Sequence, residues 1–150
     1  MNNYICLQKN GNHYYPIDDS IFKDLRYFVD FLAGDYRQYD QSLFLNSVTC
    51  YNASFVYHNL EQKIFYIGFS EWEIFEEIDI PDDQDFPNYV NETNNCKISV
   101  DNFKEFTNTW LTIKESTHFL AIIYRDDNNW IHCQSFNSTE EMGFFVKSLQ

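Results

Sequence analysis

Four cysteines and four histidines are the side chains best suited to nucleophilic or metal chemistry in this 150-residue sequence. Cys6, Cys50, Cys96 and Cys133 stand 44, 46 and 37 residues apart, with no Cys-x-x-Cys pair. Structural zinc sites draw their ligands in closely spaced pairs, so this spacing does not support one. Each thiol is expected to behave as a small hydrophobe. His13, His58, His118 and His132 form neither an HxH nor an HExxH spacing. His132 and Cys133 are adjacent, but strand neighbours point to opposite faces and cannot act on each other. A Cys–His dyad joined only in space stays open as a nucleophilic arrangement. Glycine occurs only at 11, 34, 68 and 143, which permits neither a dinucleotide fingerprint nor a phosphate-binding loop, and no Gly-x-Ser-x-Gly string exists. Asp82, Asp83 and Asp85 are closely spaced, yet a calcium loop needs alternating acids, a glycine at its sixth position and a glutamate at its twelfth. Phe86 and Pro87 follow instead. Carboxylate pairs of the glycosidase kind arise by chance in so acidic a chain. The expectation is a protein that is not an enzyme, with no cofactor and no metal.

Charge carries more information. Ten Lys and Arg face 23 Asp and Glu, a net charge of −13. Nucleic-acid binders need a basic footprint, and anionic lipid attracts cations, so neither nucleic acid nor membrane is an expected partner. Between Lys63 and Lys97 there is no Lys or Arg, whereas Glu71, Glu73, Glu76, Glu77, Asp79, Asp82, Asp83, Asp85 and Glu92 supply nine negative charges. Charge runs are usually solvated faces that maintain solubility. Here Trp72, Ile74, Phe75, Ile78, Phe86 and Tyr89 are interleaved with the acids. Carboxylates around aromatic anchors match a surface that meets a basic protein: charge sets the encounter rate and buried aromatics set dissociation. The expected contact residues are Glu71, Trp72, Glu73, Phe75, Glu76, Glu77, Asp79, Asp82, Asp83 and Asp85.

These residues need a scaffold. The chain is 44% hydrophobic with 15 Phe, 11 Tyr and 3 Trp, enough for one core without staples. Segments 4–8 and 13–17 flank Asn10 and Gly11, a hairpin signal. A helix is predicted over 19–33, capped by Asp18 and closed by Gly34, with Ile21, Phe22, Leu25, Phe28, Val29 and Leu32 on one face. Strands are predicted at 43–50, 53–58 and 63–69, with Gly68 marking a bulge. Over 70–80, Trp72, Ile74, Ile78 and Ile80 share a face if the segment is a strand, the slightly favoured form; Trp72, Phe75 and Ile78 form a narrower stripe if it is a helix. Residues 81–97 read as a long surface loop. A helix over 100–115, capped by Ser99, presents Phe103, Phe106, Trp110 and Ile113. Strands follow at 118–124 and 130–136. A capping box from Ser138 to Glu141 then opens a last helix carrying Met142, Phe145, Val146 and Leu149. Strands clustered as hairpins imply a single α+β domain over 1–150, a mainly antiparallel sheet with about three helices packed on it.

The first residues carry no cationic stretch followed by an apolar one, and the longest apolar run, Phe119 to Tyr124, is far short of the ~20 residues of a membrane span. A cytoplasmic protein with four reduced thiols is expected, and the sequons at Asn52, Asn91 and Asn137 are then idle.

The stretch from Ile98 through Phe106 to Trp110, then Phe119 through Asp127, Trp130, and Ser135 through Met142, resembles the immunity proteins of bacterial polymorphic-toxin and contact-dependent growth inhibition systems. The likeness lies in a helix, a hairpin and a capped helix within a small acidic domain. It implies a monomer that binds one cognate toxin domain, often a nuclease, in a 1:1 complex and blocks its active site. Nuclease toxins tend to be basic, which suits a charge of −13. An acidic inhibitor, adaptor or nucleic-acid mimic for another basic protein is the alternative, followed by a small-molecule enzyme.

Overall fold

The computed structural model describes residues 3–17, 24–33, 41–51, 54–69 and 86–150. Within them the protein is α+β, as expected: eight strands form two antiparallel four-stranded sheets, and three of five helices reach eight residues or more. The chain divides into two compact units, one made of residues 1–25 and 101–150, the other of 26–100.

In the first unit, β1 (Tyr4–Asn10) and β2 (His13–Pro16) form the opening hairpin, with Gly11 in the left-handed region its turn requires. The sheet has the order β2-β1-β7-β8, where β7 is Leu120–Arg125 and β8 is Ile131–Phe136. β1 pairs with β7 so that Cys6 lies opposite Ile122. One face packs Leu120, Ile122 and Phe136 on Met142 of α5 (Thr139–Ser148), with Tyr124, Phe145 and Val146 around them. The other face meets α4 (Val100–Glu115), whose Phe103, Phe106, Trp110 and Ile113 are all buried. The Tyr14 ring lies 5.3 Å from that of Trp110, and the Tyr14 hydroxyl donates to the His118 carbonyl at 2.5 Å. Buried Asn102 acts as a strand surrogate: its Nδ2 donates to the Ile131 carbonyl at 2.9 Å and its Oδ1 accepts from the Ile131 amide at 2.8 Å.

The second unit contains residues 26–32 of α1 (Leu25–Leu32), then α2 (Gln41–Leu45), β3 (Val48–Tyr51), β4 (Ser54–Asn59), β5 (Ile64–Phe69), α3 (Phe86–Tyr89) and β6 (Cys96–Ser99). Its sheet runs β3-β4-β5-β6. Val56, His58, Phe65, Ile67, Cys96 and Ile98 are buried on one face, while Tyr57, Tyr66 and Lys97 alternate onto the other. Phe28, Val29, Phe31 and Leu32 of α1 are buried.

Several sequence expectations need correction. Residues 43–50 are not one strand: Leu43 to Leu45 complete the short helix α2, which buries Leu43 and exposes Leu45. Three consecutive apolar residues give no alternation to hold a strand. Residues 81–97 are not wholly loop, since α3 and β6 lie within them. Gly68 stays in register opposite Phe55, so it marks no bulge. A Cβ there would meet the Asn94 carbonyl oxygen and would approach the Phe55 ring to 2.6 Å, so a close backbone passage fixes this glycine. Residues 19–23 of the first predicted helix, its Asp18 cap and Gly34 lie outside the described residues.

Candidate partner-binding surface

The expected contact residues Glu71, Trp72, Glu73, Phe75, Glu76, Glu77, Asp79, Asp82, Asp83 and Asp85 lie outside the described residues, as does the strand-or-helix question over 70–80. Of the nine uncompensated acids, Glu92 is described, and it is exposed. The stems of the acidic segment are well defined. The chain leaves β5 at Phe69, whose ring meets Tyr27 of α1 edge-on at 4.8 Å. It returns in α3, where the Tyr89 ring packs edge-on against Phe55 at 5.6 Å. Phe55 is the cross-strand partner of Gly68, so both stems converge on one end of the β4–β5 pair.

The asparagine-rich stretch after α3 fastens that end. Asn91 Oδ1 accepts from the Thr93 and Asn94 amides, Asn94 Nδ2 donates to the Tyr89 carbonyl, and Asn95 Nδ2 donates to the Asn91 carbonyl. The Tyr27 hydroxyl donates to the Thr93 carbonyl at 3.0 Å, which ties α1 to the same turn. Short Asn side chains bond readily to backbone two or three residues away, so a run without hydrophobic periodicity still folds into fixed structure.

Beside these stems the outward face of the second sheet carries a cross-strand row of Val48, Tyr57, Tyr66 and Lys97. The Tyr57 and Tyr66 rings stack at 5.6 Å with 28° between planes, and Lys97 Nζ lies 5.9 Å from the Tyr66 centroid. Burial, and then the neighbouring Tyr66, push the Tyr57 hydroxyl pKa up. Val48, Tyr57 and Tyr66 are half-buried, and Lys97 and Cys50 are exposed.

No family model, curated protein or solved structure matches the chain.

Among the described residues no cluster of three or more His, Cys, Asp or Glu is placed to hold a metal ion. His132 and Cys133 point apart, as strand geometry requires: the His132 ring stacks on Tyr124, while Cys133 Sγ donates to the Phe106 carbonyl across the sheet. Burial pushes the Cys133 thiol up to about 12, so it is not a thiolate at neutral pH. All four cysteines stand as thiols. His118 Nδ1 lies 2.6 Å from Ser135 Oγ, a nucleophile–base contact invisible in the sequence because 17 residues separate the pair. A catalytic version also needs a group orienting the imidazole and donors for an oxyanion. Among the described residues the carboxylate that engages a histidine, Asp126, bonds His132 instead, at 2.8 Å. That bond, followed by the Trp130 amide, holds the Asp126 carboxyl below its usual pKa. Asp126 also accepts from the Asn128 amide and so orders the β7–β8 turn. No helix among the described residues is long and apolar enough to cross a membrane.

Proposed function

We propose that this protein is a cytoplasmic immunity protein: a monomer that binds one basic toxin domain, of the nuclease type, in a 1:1 complex and covers its active site. The observation that carries this reading is the run of nine carboxylates without a Lys or Arg between Lys63 and Lys97, rooted on convergent aromatic stems. A field of several kT over that region accelerates encounter with a cationic partner and repels nucleic acid, which competes for a nuclease's basic cleft.

The test has two steps. Native mass spectrometry of complexes captured from the source cells is expected to show one stoichiometric basic protein; a broad set of nucleic-acid-binding proteins would favour a nucleic-acid mimic instead. Reversing Glu76, Glu77, Asp82 and Asp83 to Lys is then expected to slow association at least tenfold with little change in melting temperature. The same charge reversal at exposed Glu115 and Glu140 is the control; Asp24 and Asp30 would not serve, because they pair with Arg125 and Arg26. Equal binding by test and control variants would reduce the acidic run to a solvated face.

A further inference from the structure

We infer that the open edge of β8 accepts an extended, basic segment of the partner as an added strand. The inference rests on the immunity reading and names the backbone row that pairs, all of it within the first unit. The phase of the β8 ladder is fixed at its start. The Ile131 amide donates to Asn102 Oδ1 and its carbonyl accepts from Asn102 Nδ2, while Arg125, opposite Ile131, donates its amide to the Asn3 carbonyl. Ile131 therefore turns both backbone groups away from β7. Antiparallel pairs alternate in this respect, and the register runs unbroken to Phe136, so Cys133 and Ser135 also turn N–H and C=O to the open side. The next amide in the row, that of Asn137, donates to Glu141 Oε2. Side chains thus close both ends of the row, and between them the four groups of Cys133 and Ser135 meet no strand among the described residues.

Proteins guard sheet edges with short strands, prolines, charged side chains and bulges. Among the described residues the other edge strands, β2, β3 and β6, have four residues each; β2 ends in Pro16 and β6 carries Lys97. β8 has six residues, with no proline, no Asp, Glu, Lys or Arg, and no bulge. Charge around the row identifies the occupant. At one end stand Asp126 and Asp127 of the β7–β8 turn and exposed Glu105 of α4, which accepts from Trp130 Nε1 at 3.1 Å; at the other stands exposed Glu141. No Lys or Arg lies between Arg125 and Lys147, and Arg125 is buried against Asp24. A second copy of β8 would bring like charge against like at both ends. An extended segment with Lys or Arg at its flanks instead pairs its backbone with Cys133 and Ser135 and its cations with the surrounding carboxylates.

The probe is the basic partner captured from the source cells, purified and titrated by surface plasmon resonance against wild type, Ser135→Pro and Ser135→Ala. Proline removes an amide that β7 does not use, so the β7–β8 ladder survives while strand addition is blocked. Alanine removes the hydroxyl, and with it the His118 contact, but keeps the amide. The expected result is binding weakened roughly tenfold or more by Ser135→Pro and less than about twofold by Ser135→Ala. Both variants should melt within a few degrees of wild type. Amide hydrogen exchange of the wild-type complex decides the matter if the proline variant fails to fold: the Cys133 and Ser135 amides should exchange roughly tenfold more slowly than in the free protein. Wild-type affinity in Ser135→Pro, or unprotected amides in a complex that forms, would overturn the edge assignment and leave the immunity reading standing. Protection that grows with the concentration of the free protein would give the edge to a second copy and overturn the inference. Absence of any stoichiometric basic partner would overturn both readings.

Discussion

At His58, burial and hydrogen bonding are at odds. The side chain is 6% exposed, its ring meets Phe65 edge-on at 4.7 Å, and neither ring nitrogen makes a hydrogen bond of good geometry among the described residues. Desolvation pushes its pKa below the ordinary 6.5, with the Phe44 backbone acting weakly in the other direction. The folded protein therefore binds this proton less readily than the unfolded chain. Stability is complete above about pH 6.5 and falls as the pH drops from there toward the folded pKa. Urea midpoints measured at pH 7.5 and 5.5 should show a loss for wild type and a smaller one for His58→Phe; equal losses would assign the proton elsewhere. The alternation over 53–58 already places His58 beside Ser54 and Val56, but its ring packs on Phe65, which in turn meets Phe44, and sequence spacing does not bring these residues together. Cys133 behaves similarly. With a pKa near 12, roughly one part in ten thousand is thiolate at pH 8, so it should react with a disulfide reagent far more slowly than exposed Cys50. Denaturation should release four thiols per chain.

Elements whose signals are local were readable in advance. α4 begins and ends where its periodicity does, and the cap of α5 is present: the Glu141 amide donates to Ser138 Oγ at 3.1 Å. The reciprocal bond goes to the Asn137 amide, at 3.4 Å. Ser138→Ala should cost about 1 kcal/mol in chemical denaturation. Phe145 is half-buried against Tyr124 and Phe136 rather than enclosed, so Phe145→Ala should cost about 1–3 kcal/mol, less than a fully buried phenylalanine would. Elements held by distant partners were not readable. β6 exists because Ile98 pairs with Phe65 and Cys96 with Ile67, and no pattern within an asparagine-rich stretch announces it. Gly68 belongs to the same class. Gly68→Ala should destabilise by about 1–3 kcal/mol, because the new methyl collides with the Asn94 carbonyl and the Phe55 ring. If that variant melts like wild type, the backbone approach at the stems is looser than described.

For the whole molecule, charge was legible and architecture only in class. A sequence pI near 4.4 places minimum solubility in the acid range where His58 also weakens the fold, so turbidity should rise steeply as the pH approaches 4.4 and recede below it. Antiparallel pairing follows from clustered strands, but their division between two sheets depends on β1 choosing β7, a pairing across more than a hundred residues. That choice bears on how the protein is made. During translation the segment 26–100 emerges as a contiguous stretch whose hairpin β4–β5 closes over a four-residue turn, so its pairings become available early. The β1–β2 hairpin, by contrast, waits with the pairing edge of β1 open until Leu120–Arg125 has left the ribosome. An unpaired edge carrying Ile5 and Leu7 is a template for other strands. Nascent chains arrested between β6 and β7 should accordingly recruit chaperones at Tyr4–Asn10, and chains released after β8 should not.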